Sequence, residues 1–295
     1  MVIWLLLFYQ RMTIRTILYK YLSFSILIII LIDIIFKCIK IVLNSNSRED
    51  DTQKIDKLCN MIDDVDNKLN VSHIIIGDYN SRFEKDSNYK LLNINSGNNF
   101  LIPLSKAYEE KKNLIILIET NGGDIASTDI IFRSLLDYPY GVTIYVINYA
   151  FSAGTFITLA AKDIYLSPWS LLGPTDPQIT HYPDTKNYTM PSDCYIEMIN
   201  NNKNNKINEK IYMTSINAKK YYNENIDYIT ESLSKQGYHL KTINNVIAEL
   251  CSGKHSHGRP FNSRMLKEIG LVINNDIDQY IYDLNKYAKN FMDSY

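Results

Sequence analysis

Four short apolar runs, set apart by amphipathic stretches, constrain this chain more than any other feature. They are "SHIIIG" (Ser72–Gly77), "NLIILIET" (Asn113–Thr120), "VTIYVI" (Val142–Ile147) and "DIYLS" (Asp163–Ser167). Continuous Ile, Leu and Val without polar alternation suits strands covered on both faces, the condition of a parallel sheet between helical layers. The segments between them have helical length and periodicity: a loop and helix in "SGNNFLIPLSKAYEE", then Asp124–Asp137, then Ser152–Lys162. This alternation predicts an α/β layered fold with parallel strands.

Beyond Thr180 the chain turns polar, and "NNNKNNKINEK" (Asn200–Lys210) reads as a low-complexity insertion or loop. Helices are expected over Tyr212–Lys235, Leu240–Cys251 and Gln279–Met292, with a loop, a helix and a short strand in "GKHSHGRPFNSRMLKEIGLVI". At the other end, "YLSFSILIIILIDIIF" (Tyr21–Phe36) carries one charge, Asp33, and with "KCIKIVL" reaches Leu43. That length crosses a bilayer, with Lys37 and Lys40 near one face, and no small-residue cleavage site follows it. The expected organisation is an anchor region over 1–43, a linker with a short amphipathic helix over 44–70, and one domain over 71–295.

With 295 residues, 46% of them hydrophobic, the chain is long enough for one sizeable core. A formal net charge of -1 supplies no basic field for nucleic acid, so none is expected as a partner. Cys38, Cys59, Cys194 and Cys251 lack paired spacing, which argues against a disulfide framework or a zinc knuckle. Cys251, His255 and His257 read as a polar loop after a helix rather than as a metal site.

Two turns carry chemistry. In "ETNGGDIAS" a strand ends, Gly122 and Gly123 follow, and a helix opens at Asp124. Backbone amides there face a helix N-terminus, a natural place for an anion. In "NYAFSAGT" the chain narrows to small residues around Ser152, at the mouth of the next helix. A serine there is either a helix cap or an exposed nucleophile. Ligand sites of α/β layers lie at the carboxyl ends of the strands, so both turns should face one crevice. The N–H of Ala153 would then complete an oxyanion hole with the diglycine turn.

The ordered set "NGG", "SAGT", "LAAKDI" and "LLGPTDPQ", over about Leu114–Thr180, resembles the Clp-fold serine peptidases. It is most similar to the membrane-associated serine dehydrogenase proteinase group, related to signal peptide peptidase A. A fainter likeness runs through "SHGRPFNSRMLKEIGLVI". The resemblance implies a Clp/crotonase-like fold of stacked β-β-α units behind the N-terminal transmembrane helix. It also implies hydrolysis of peptide bonds without a cofactor, and assembly into a homo-oligomer. Asn121 stands where the group has Pro, Ala153 where it has Gly, and the His-Asp pair reads His257-Gly258.

A serine nucleophile needs a partner to take its proton. At the spacing of the Clp protease histidine this chain has Pro177, with His181 four positions later. The signal peptide peptidase relatives use a lysine from a helix. Candidates here are Lys203, Lys206, Lys210, Lys219 and Lys220, and the apolar flanks of Lys219 make it the expected base. His181 and His257 stay open as alternatives. "GPTDPQ" reads as a rigid wall of the cleft rather than as a catalytic Asp176. The sequence therefore predicts a single-pass, membrane-anchored serine peptidase with Ser152 as nucleophile, Lys219 as base, and Gly122, Gly123 and Ala153 around the oxyanion. Peptides or membrane-protein segments are its expected substrates. An acyl-CoA hydratase or isomerase of the same fold, or an inactive scaffold subunit, are the rival readings.

Overall fold

The computed structural model describes residues 62–77, 92, 94–181, 188–201 and 208–293, with Asp56, Cys59 and Asn60 ahead of them. The expected anchor, Tyr21–Leu43, lies outside the described residues. Among the described residues no helix is long and apolar enough to cross a membrane. The chain divides into two units, Met1–Lys57 and Leu58–Tyr295, and the fold below is that of the second.

Residues 62–69 form a helix, α1, which leads into β1 (Val71–Gly77). Then follow α2 (Ile94–Glu109), β2 (Asn113–Glu119), α3 (Ile125–Leu136), β3 (Val142–Val146), β4 (Tyr149–Ala150), α4 (Ala153–Thr158) and β5 (Asp163–Leu166). Four strands make a wholly parallel sheet in the order β1-β2-β3-β5, so the four apolar runs of the sequence are its strands. Short β4, β6 (Leu171–Leu172) and β9 (Phe261–Asn262) form a second sheet past the carboxyl end of the first.

Alternate residues of β2 explain why its run is apolar throughout. Leu114, Ile116 and Ile118 join a large core with Phe132 of α3, Phe156 of α4 and Ile229 of α6 (Glu209–Lys235). Ile115 and Leu117 face the other way, into a smaller core with Ile281, Leu284 and Ala288 of α9 (Gln279–Asp293). A strand with both faces dry has no position for a polar residue.

Three predicted boundaries change. The helix expected over Ser152–Lys162 stops at Thr158. Its last turn tightens, with the Ala160 N–H donating to Ile157 O and the Ala161 N–H to Thr158 O. The freed Leu159 carbonyl accepts from Ser232 Oγ and Gln236 Nε2 of α6, both at 2.8 Å. In the polar stretch after Thr180, β7 (Gln178–His181) pairs with β8 (Tyr188–Pro191) and α5 (Ser192–Asn200) packs against α6, while residues 202–207 of the expected insertion Asn200–Lys210 lie outside the described residues. The helix expected to reach Cys251 is α7 (Leu240–Val246) followed by one π-helical turn, Ile247–Cys251. Short α8 (Ser263–Glu268) completes the set.

Phe132 is fully buried and packs at a tilt against Phe156, 4.3 Å between ring centroids, beneath Tyr228. Phe132→Ala should lower the unfolding free energy by about 3–5 kcal/mol in denaturant titration. A loss below about 1 kcal/mol would mean that α3 and α4 do not share this core.

Candidate active site

The site begins where the two sheets join. Thr120 follows β2 and bridges in parallel to Ala150 of β4. Its N–H donates to Tyr149 O at 3.3 Å, and its carbonyl accepts the Phe151 N–H at 2.9 Å. Its Oγ1 also accepts the Gly122 N–H at 3.0 Å. One residue thus ties the diglycine bend to the strand that delivers Ser152. On the far side, the Leu92 N–H donates to Gly122 O at 2.8 Å and the Asp124 N–H to Leu92 O at 3.0 Å. Among the described residues this leaves the Gly123 N–H without an acceptor.

Ser152 precedes α4 with φ 51° and ψ −115°. That region is costly for a residue with a Cβ, on the order of 1–3 kcal/mol. A capping serine sits in extended backbone and bonds the first turn; Ser152 does neither, and its side chain makes no cap hydrogen bond. The turn is the sharp strand-to-helix elbow that lifts a side chain off the end of a sheet. Gly122, at φ 120°, sits directly opposite: a Cβ there would lie 2.9 Å from Ser152 Cβ and 3.3 Å from its Oγ. Gly154 allows the same approach one turn on, where a Cβ would meet Thr120 Cγ2 at 2.5 Å. The small residues of "SAGT" and "NGG" are therefore the space in which two loop crests pass. The Ala153 N–H, at the first helical position, has no intrahelical acceptor.

Ser152, Gly123 and Ala153 open together onto a cavity of about 380 Å³. Its sides are Ile125, Ala126 and Asp129 of α3, Phe156 of α4, and Tyr221, Glu224, Asn225 and Tyr228 of α6. Thr175, Pro177 and Gln178 close it as a wall, the role expected of "GPTDPQ". Asp129 accepts from Arg133 Nε at 2.8 Å, and that guanidinium lies 4.3 Å over the Tyr228 ring.

The buried Asp176 turns away from the cavity between Thr175 and Pro177. Its Oδ2 accepts from Gln178 Nε2 at 2.6 Å, and its Oδ1 lies 2.9 Å from His257 Nδ1. His257 thus has a carboxylate partner from 81 residues away, where the sequence places Gly258 next to it. The surroundings are dry. Burial pushes the Cys251 thiol, beside Thr175, up to about 12, and burial first and Asp176 second push up the Asp193 carboxyl.

Lys219, the expected base, is not among the residues of this cavity. It lies in a separate groove between α5 and α6 with Ile196, Tyr212 and Lys220. The buried face of α6 carries Ser215, Ala218, Asn225, Ile229 and Ser232, and Lys219 points about 100° away from it, exposed. Lys210 is exposed in the first turn of α6, while Lys203, Lys206 and the side chain of His181 lie outside the described residues. Cys251, His255 and His257 go to three different partners, Thr175, Glu249 and Asp176. Among the described residues no group of His, Cys, Asp or Glu is arranged to hold a metal ion.

Residues 16–294 match the family of ClpP-like, SDH-type serine proteinases. The chain belongs to that family. It is a serine-type peptidase by that membership, with the parallel α/β sheet described above. Two uncharacterized proteins of Methanocaldococcus jannaschii are each 26% identical to it, over 201 and 196 residues. These alignments cover 68% and 66% of this chain, and 67% and 63% of the relatives, so the chain spans about two thirds of their length. Two solved structures of the 1510-N membrane-bound stomatin-specific protease, both mutants, align at 16% identity and a TM-score of 0.45. They cover 74% and 72% of this chain, and 82% and 77% of theirs.

A Cβ at residue 122 has no room beside Ser152 and strains a φ of 120°. Gly122→Ala should cut the rate of fluorophosphonate labelling about a hundredfold while the circular dichroism spectrum stays unchanged. Labelling at the wild-type rate would mean that the two crests are not in contact.

Proposed function

We propose that the chain hydrolyses peptide bonds with Ser152 as nucleophile. The observation that carries this reading is the strained, uncapped Ser152 at an open cavity, flanked by the unpaired amides of Gly123 and Ala153. Ser152 Oγ adds to the scissile carbonyl and gives up its proton as the bond forms. The Gly123 and Ala153 N–H groups take the negative charge that develops on the carbonyl oxygen, and Gly122 shapes the bend that aims them. The carbon–nitrogen bond then breaks as the leaving amine receives the proton, and water releases the acyl group by the reverse sequence.

For the proton carrier we prefer His257 to Lys219. Neither side chain is among the cavity's residues, but His257 Nδ1 lies 2.9 Å from Asp176 Oδ1, and the Thr175–Gln178 segment that carries Asp176 is the cavity wall. An imidazole held there through Nδ1–H would accept at Nε2. Lys219 belongs to another groove and is exposed there. The apolar stretch Tyr21–Leu43 supports a single-pass anchor, which would hold the cavity near a bilayer and favour membrane-protein segments or peptides as substrates. Assembly into a homo-oligomer is part of the same reading and rests on the family resemblance.

Three variants test the roles. Ser152→Ala should abolish both fluorophosphonate labelling and peptide hydrolysis. His257→Ala should lower kcat by about 10²–10⁴ with the fold intact, and Lys219→Ala should leave it within about twofold. Full activity in Ser152→Ala would remove the nucleophile. Activity lost in Lys219→Ala and kept in His257→Ala would return the base to the lysine.

A further inference from the structure

The charges around the cavity are unevenly answered. Among the described residues no Lys, Arg or His lines it, yet two carboxylates do, Asp129 on α3 and Glu224 on α6. Asp129 is neutralised by Arg133 one turn along its own helix. Glu224 has no hydrogen bond or ion pair among the described residues. It stands on the same face of α6 as Tyr221 and Tyr228, one turn from each. Between the two helices the lining is apolar and aromatic: Ile125 and Tyr221 keep 44% and 38% of their surface exposed at the mouth, while Phe156 is buried within. An exposed apolar mouth around a single unanswered negative charge matches a ligand with the opposite features, a long aliphatic stem ending in a cation.

We infer that Glu224 is a specificity residue, and that the cavity takes a lysine or arginine side chain of the substrate next to the bond that Ser152 attacks. This inference rests on the peptidase reading and names the substrate class of that site. The methylene stem lies along Ile125 and Phe156, the ring of Tyr221 receives the cationic head, and Glu224 pairs with it at the rim; the Tyr228 ring is already covered by Arg133. Asp129 does not compete for the head, because Arg133 already occupies it. An acidic side chain in the same place meets Glu224 as a like charge with no cation in the lining to offset it. Because Glu224 is exposed, the pair acts through a solvent-screened contact, and discrimination of several-fold rather than thousands-fold is expected.

The test uses the full chain in detergent and three peptidyl diaryl phosphonates identical except for a Lys, Leu or Glu side chain at the reacting residue. Second-order labelling rates of Ser152 should rank Lys above Leu above Glu, with Lys over Leu by about three- to fivefold. Glu224→Gln should bring Lys and Leu within about twofold, and Glu224→Lys should place the Glu probe above the Lys probe. Circular dichroism spectra and melting temperatures of both variants should match the wild type, which separates a specificity role from a folding defect. A ranking that Glu224→Lys leaves unchanged would overturn the assignment of Glu224 while the nucleophile stands. If no probe labels Ser152, the peptidase reading falls, and this inference falls with it.

Discussion

The parallel bridge between Thr120 and Ala150 is the contact on which the rest of the structure depends. It joins the end of a central strand to the short strand before Ser152, through two backbone hydrogen bonds made by a single residue. Its side-chain oxygen then captures the next bend through the Gly122 N–H. Without that stitch two strand-to-helix turns would merely be neighbours in an α/β layer. With it, Gly122 and Ser152 pass within van der Waals contact, and Gly154 slides under Thr120. The left-handed backbone of Ser152 costs free energy, and such strain persists only where the surroundings over-determine it. Here they do: β4 is paired on one side and every residue of α4 is buried on the other.

The helices beneath this junction serve packing and chemistry at once. α6 spans 27 residues, about 40 Å at the α-helical rise per residue. Its C-terminal half packs Ile229 and Leu233 into the core and caps the Leu159 carbonyl at the foot of α4. Its middle supplies Tyr221, Glu224, Asn225 and Tyr228 to the cavity. Asn225 links the two functions, because its Nδ2 donates to Thr175 O at 2.8 Å and so holds the cavity wall against the helix.

How much was legible in the sequence follows from how local each cause is. The strands were legible because two-sided burial leaves an unbroken apolar run, and Leu114–Ile118 is such a run. The turns at Gly122 and Ser152 were legible as small residues in the right order, and their order carried the family. What was hidden is conformational or distant. "FSAGT" reads equally as a cap or as an elbow until φ is known. The end of α4 at Thr158 depends on Ser232, more than seventy residues away. Lys219 looked inward by the company of apolar neighbours, but the face that packs is set by Ala218, Asn225 and Ile229, one residue out of step with it. The pairing of His257 with Asp176 has no local signal at all, since "SHGRP" and "GPTDPQ" meet only in the folded chain.

The most direct measurement is a crystal structure of the protein with a phosphonate bound covalently to Ser152. The account predicts that the phosphoryl oxygen lies about 2.7–3.1 Å from both the Gly123 and the Ala153 nitrogens. An adduct whose oxygen points to solvent, or reaches neither amide, would contradict the meeting of the two turns as the source of this chain's chemistry.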